Sequence, residues 1–212
     1  ITMGQELEGY SHGIARMHNR LVTEQARWNH SCLGGTAVGT GMGCMPGFRA
    51  VIHKHLSDVL GREMKAEENL VDGMMSLDGL IVAHAHILAL STQIWKVTRD
   101  LRIMSSGERT GLREIVFPVR AEEEPDYAEL LITTTNRVSA NNSGVVLGVQ
   151  SGWLNLGSAS GIPLRCIISS CEMLSNAMNL FVEKVLVQIK ANAAHCAELA
   201  EKSASLSTMI SA

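Results

Sequence analysis

Hydrophobic positions recur along most of the chain at intervals of three, four and seven, the spacing that lines one face of an α-helix. Leu7, Tyr10, Ile14, Met17, Leu21 and Trp28 follow it and predict a first long helix from Gly4 to Leu33. Gly34-Gly35 end that helix, and Gly39, Gly41, Gly43 and Pro46 keep the next stretch irregular or tightly turned. Phe48, Val51, Ile52, His55, Leu56 and Val59 then predict a short amphipathic helix with Gly61 as its stop. The longest pattern runs from Glu67 to Ser106, and its middle, Leu77 to Leu90, is apolar on nearly every face. A helix that is hydrophobic all round has to be covered on all sides. A chain of 212 residues offers few places to do so, which points to self-association. Gly111 to Pro118 predicts a short extended link. Asp126 to about Gln150 and Ile162 to Asn192 predict two more long helices, joined by a bend in the Gly/Ser-rich stretch Gly148 to Gly161. Ala193 to Ala212 predicts a last, Ala/Ser-rich helix. Four or five long helices with short joints describe an all-α bundle, read as one domain over 1–212.

Composition agrees with that class. Only 4% of residues are aromatic and four are proline, too few for a sandwich or barrel. The formal net charge of -3 and the lack of any Lys/Arg block argue against a nucleic-acid or membrane-surface partner. No apolar stretch reaches the roughly 18 uninterrupted residues of a membrane span. The longest, Gly79 to Leu90, already contains His84 and His86. The start, Ile-Thr-Met-Gly-Gln-Glu, has no basic region followed by an apolar run, so no signal peptide is expected. It also lacks an initiator Met and reads as a piece of something longer or as a processed chain. Cys32, Cys44, Cys166, Cys171 and Cys196 include no C-x-x-C pair. Scattered free thiols of this kind fit the reducing cytoplasm.

Each candidate chemistry meets a plainer account. His53/His55 and His84/His86 are spaced i,i+2, which puts the members of each pair on different helix faces, whereas chelation needs i,i+3 or i,i+4. Without H-E-x-x-H or a Cys/His cluster, no metal is expected, and no cofactor. The glycines of Gly34 to Gly41 lack the Gly-Lys-Ser/Thr ending of a phosphate loop and follow a helix rather than a strand. Close helix–helix approach is the better account of them. No G-x-S-x-G is present for a serine hydrolase. Glu122-Glu123-Glu124 offers carboxylates for acid/base work. It reads more simply as a solvated helix start with Pro125 in the first turn.

Four stretches carry a family resemblance. L-G-G-T-A-V-G-T-G (Leu33 to Gly41), with M-G-Q-E (Met3 to Glu6) before it, resembles the fumarase/aspartase superfamily. So does R-D-L-R-I-M-S-S-G-E-R-T-G-L-R-E-I (Arg99 to Ile115). L-S-N-A-M-N-L-F-V-E-K (Leu174 to Lys184) and I-K-A-N-A-A-H-C (Ile189 to Cys196) resemble aspartate ammonia-lyases more than fumarases. The order runs in register over most of the chain. The resemblance implies the long-helix bundle of that superfamily's central domain, in which four subunits pack into a twenty-helix core, hence a homotetramer. It also implies reversible elimination of ammonia or water from L-aspartate or malate to give fumarate, and so a dicarboxylate ligand.

The family places its base serine on a mobile G-S-S-x-M-P-x-K-x-N-P loop, and here the chain departs from the pattern. Val116 to Pro125 follows Gly111-Leu112-Arg113-Glu114-Ile115 directly. Aligned on Pro125, the loop is shortened by about eight residues. The serine pair has no counterpart, and Glu122 and Glu124 stand where the family has Lys and Asn. The family's histidine-containing substrate segment and N-terminal domain would lie before the start of this sequence. Of the family's functional positions, Glu129 alone is retained, and it is the one catalytic candidate. The expectation is a tetrameric core without turnover of its own, the alternative an active lyase. A small-molecule binder using a pocket between helices is a third possibility.

Overall fold

The computed structural model describes residues 1–107, 109, 111–157 and 161–203. It divides into two compact units, one of residues 1–93 and 136–172, the other of 94–135 and 173–212. The all-α expectation is met: seven α-helices carry the described chain, with four strands of two residues each. Helices α4 (Asp78–Met104), α5 (Tyr127–Gln150) and α6 (Gly161–Lys184) each contribute one end to each unit.

In the first unit α1 spans Met3–Gln25 and ends eight residues before the expected Leu33. A 3₁₀ turn, Ala26–Trp28, leads instead into β1 (His30–Ser31), which pairs in parallel with β2 (Lys65–Ala66). That pairing draws the backbone out of the helix, and no local periodicity encodes it. Helix α2 (Phe48–Leu60) ends where expected, at Gly61, whose φ of +64° is the left-handed cap conformation glycine adopts without strain. His53 ties α2 to β1, with Nδ1 2.7 Å from the Arg49 carbonyl and Nε2 3.2 Å from that of Ser31.

The helix expected from Glu67 to Ser106 is two helices. Short α3 (Leu70–Met75) is capped by Asn69, whose side chain accepts from the Val71 and Asp72 N–H groups. The chain breaks at Ser76-Leu77 before α4 begins at Asp78. By length and hydropathy α4 alone among the described residues reaches what a membrane span requires. Its fully buried positions include His84, inside a polar network, so we read it as a core helix. It is not covered on every side by this chain: Val82, Ala85 and Ala89 are exposed.

Close helix–helix approach through glycine does occur, but not at Gly34 to Gly41, which form loop turns, with Gly39 set against the backbone of α3. It occurs at Gly144 and Gly148 of α5. A Cβ there would lie 2.8 Å from the Cys166 sulfur and 2.6 Å from Pro163 Cδ of α6. The expected bend after α5 is present as a turn closed by Trp153 and Leu156, whose N–H and C=O groups pair at 2.9 Å; residues 158–160 of that stretch lie outside the described residues.

In the second unit Leu101, Met104, Leu131, Leu174 and Phe181 form the core. The expected extended link contains β3 (Ile115–Val116), antiparallel to β4 (Lys190–Ala191). This pairing explains why α6 ends at Lys184 and not Asn192: after a 3₁₀ turn (Leu186–Gln188) the chain must straighten to meet β3. Helix α7 covers Ala193–Glu201. The rest of the helix expected to Ala212 lies, from 204 on, outside the described residues.

Candidate functional site

The segment where the family loop would sit lies between β3 and α5, in the second unit. Phe117 to Arg120 run on from β3, and a tight turn at 121–124 is closed by the Glu124 N–H on the Ala121 carbonyl at 3.0 Å. Glu124 organises this turn. Its Oε2 accepts from the Ala121 N–H at 3.2 Å, its carbonyl accepts from the Arg120 guanidinium, and the Tyr127 hydroxyl reaches its Oε1 at 3.5 Å. Helix α5 begins only after Asp126, whose Oδ1 accepts from the Ala128 and Glu129 N–H groups at 3.0 Å each. Asp126 is therefore the cap. Pro125 precedes it rather than occupying the first turn, and Glu122-Glu123-Glu124 lie in the turn rather than in the helix start.

A cavity of about 310 Å³ opens beside this turn. Phe117, Arg120, Glu124 and Tyr127 line one side, Lys184 and Gln188 the other. Glu129, the candidate carried from the sequence, does not line it. Its exposed carboxylate pairs with Arg102, which also lies 3.5 Å from Asp126. A carboxylate turned onto a guanidinium offers its lone pairs to that partner, which is a poor posture for taking a proton from carbon.

Chemically the cavity is unpromising for elimination. Such a reaction needs a base beside the acidic C–H and cations or N–H donors where the dianion's charge grows. No serine occurs between Ser106 and Ser139, and five carboxylates (Glu122, Glu123, Glu124, Asp126 and Glu129) crowd eight positions. Arg120 and Lys184 are the cations of the lining, and Arg120 is already spent on the Glu124 carbonyl. Two of the thiols, Cys32 and Cys171, are shifted away from the thiolate. Burial, then Glu67 and Asp72, push the Cys32 thiol up, and it donates to the Gly73 carbonyl at 2.9 Å. Burial and Glu172 push the Cys171 thiol up as well.

The histidines behave as their spacing requires. His84 is fully buried, while His86 on another face of α4 is partly exposed, 3.7 Å from Glu24. Among the described residues no three His, Cys, Asp or Glu side chains are grouped to hold a metal ion. What the sequence did not foretell is a buried polar relay through three helices of the first unit. His84 Nδ1 lies 3.0 Å from Asn142 Oδ1 and Nε2 lies 3.0 Å from Ser170 Oγ; Asn141 Nδ2 donates to the same hydroxyl at 3.0 Å. One neutral tautomer satisfies all three bonds: Asn141 donates to Ser170, Ser170 to Nε2, and Nδ1–H to Asn142. Burial lowers the pKa of His84, against the pull of Asn142, in keeping with that neutral ring. With no exposed surface, His84 is a structural residue.

Comparison with known proteins places this architecture. The sequence model of a family described as lyase matches residues 1–123, more than half of the chain. The chain belongs to the aspartase/fumarase lyase superfamily. It is 29% identical to aspartate ammonia-lyase of Bacillus subtilis (strain 168), over 99% of this chain and 46% of that protein. It is 26% identical to the class II fumarate hydratase of the same organism, over 91% of this chain and 43% of that protein. Among solved structures, the cobalt-bound fumarate lyase/delta-crystallin of Brucella melitensis superposes with a TM-score of 0.92 at 30% identity. That match covers 98% of this chain and 47% of the other. This lyase-family chain thus spans about half the length of the relatives it matches.

Proposed function

We propose that this chain is the helical assembly core of an aspartase/fumarase-type lyase, a cytoplasmic homotetramer with no turnover of its own. The observation that carries the reading is the turn between β3 and α5. Where elimination chemistry needs a base and a cationic cradle for a dicarboxylate, this segment has no serine and presents Glu122, Glu123 and Glu124. Carboxylates there repel the substrate's own charges. Each missing donor to a developing oxyanion costs roughly 10²–10³ in rate elsewhere. Self-assembly is supported by apolar side chains left uncovered on the long helices, among them Val82 of α4, Leu147 of α5 and Ile168 of α6. Buried apolar area is what such helices lack as single chains. Five free cysteines agree with a reducing compartment.

The second reading, an active lyase releasing fumarate from L-aspartate or malate, is favoured by the names of the relatives. It requires an active site assembled at subunit interfaces. The two readings separate in one assay. Folded protein at high concentration, given saturating L-aspartate and then L-malate, is expected to produce no fumarate by ultraviolet absorbance above a heat-inactivated control. Sustained fumarate release would overturn the no-turnover reading, and the substrate that responds would name the activity. Light scattering behind a sizing column tests the assembly independently. The expected mass is about four times 22.9 kDa, and a stable, soluble monomer contradicts the assembly core.

A further inference from the structure

A second concave surface lies in the first unit, remote in sequence from the β3–α5 turn and unused by any reading of the lyase chemistry. Along α1 and the 3₁₀ turn that follows it, Arg16, Asn19, Arg20, Thr23 and Arg27 are spaced three and four apart and form one stripe of donors. This stripe lies on a different face of α1 from Leu7, Ile14, Met17 and Leu21. With His86 of α4 it borders a groove of about 610 Å³.

The charges in this groove are uneven. Glu24 is its one carboxylate, nearly buried and held between Arg27 Nε at 3.8 Å and His86 Nε2 at 3.7 Å. Arg16 and Arg20 form neither an ion pair nor a hydrogen bond among the described residues. Two like charges at i,i+4 destabilise a helix, and an anion bridging them reverses the effect. A guanidinium also presents a planar fork that matches two oxygens of a carboxylate or phosphate. Two free forks one helical turn apart, in a cleft of metabolite size, select a compact anion with at least two charged oxygen groups. A nucleic acid is a poorer fit, because no Phe, Tyr or Trp lines the groove for base stacking and the chain as a whole is negatively charged.

We propose that the α1 groove is a binding site for a small multivalent oxyanion, a polycarboxylate or a phosphate compound, with Arg16 and Arg20 as its paired ligands. It does not depend on whether the chain turns over a substrate. The test is calorimetric titration of the intact chain at low ionic strength with citrate, with inorganic pyrophosphate, and with chloride as the monovalent control. Saturable binding of citrate or pyrophosphate but not chloride is expected, and the tighter of the two identifies the ligand class. The Arg16→Ala/Arg20→Ala double variant is expected to bind at least tenfold more weakly. Glu24→Gln, which removes the competing carboxylate, is expected to tighten binding severalfold. These opposite directions distinguish a built site from general loss of fold, which circular dichroism of each variant checks. No saturable binding to the wild-type chain, or equal affinity in the double arginine variant, would overturn the proposal.

Discussion

Replacing His84 with leucine is expected to destabilise the folded chain by roughly 2–4 kcal/mol, lowering its thermal midpoint by about 5–15 °C. Leucine fills nearly the same volume, so lost packing is not the main cost. The cost comes from the Asn142 oxygen and the Ser170 hydroxyl, which lose the ring nitrogens 3.0 Å away. A buried polar group left without a partner costs roughly 1–3 kcal/mol, and Asn142, half-buried, recovers part of that from water. Adding Ser170→Ala to the leucine variant removes one orphan, so the double variant should lose less than the sum of the singles. Strict additivity in denaturant melts would mean the relay is not formed. The same relay sets a pH dependence. Burial holds the folded ring's pKa below its ordinary 6.5, while the unfolded chain binds a proton near that value. Below about 6.5 the unfolded state takes up protons that the folded state refuses, so stability falls as pH falls, by up to ~1.4 kcal/mol per pH unit until the folded ring titrates. The leucine variant should lack this component, and the difference between the two proteins' stability curves from pH 7 to 5 isolates it from the other histidines.

That relay also marks where sequence reading stops. Its members sit at positions 84, 141, 142 and 170, and no local pattern announces that they meet. Features written in short stretches were legible. Gly61 ends α2 because a left-handed cap suits glycine, and α5 starts one residue from the expected Asp126 because that side chain caps it. Features imposed by distant pairing were not. Helix α1 stops at Gln25 and α6 at Lys184 because each must release its chain to a two-residue strand whose partner is distant in sequence, β2 for one and β3 for the other. The break at Ser76-Leu77 falls between Met74-Met75 and the apolar stretch that follows, and Asp78 in the first turn of α4 was the signal that could have exposed it.

The site was legible in a different way. Family stretches located the segment, and its departure from the family pattern was readable as three glutamates and a missing serine pair. The structure added the physical consequence. Glu124 folds the segment back on itself, and Arg102 takes up both Asp126 and Glu129, leaving the retained carboxylate outside the cavity it would have to serve. A scaffold can keep its packing while its reactive loop changes, because core burial and loop chemistry rest on different residues.

Substituting Gly39 by alanine should be among the most damaging single changes in the first unit, costing roughly 2–5 kcal/mol. Two effects add. Gly39 has φ of +83°, a conformation that costs an L-residue roughly 1–2 kcal/mol. Its Cβ would also fall 2.4 Å from the carbonyl carbon and oxygen of Leu70 and from the Val71 Cα. These are backbone atoms at the first turn of α3, so no rotamer change relieves the overlap, and overpacking of this kind costs roughly 1–3 kcal/mol. Moving α3 aside would pull Leu70 out of the core and strain the Asn69 cap beside it. Gly43 provides the control within the same loop. Its φ is +81°, yet nothing lies within 4 Å of its would-be Cβ, so Gly43→Ala carries the conformational cost alone. Guanidinium melts of the two variants beside the parent measure the overlap as their difference. A loss at Gly39 of at least ~1 kcal/mol beyond that at Gly43 is expected. Equal losses would mean that the loop does not rest on α3, and that the glycine run serves turn conformation only.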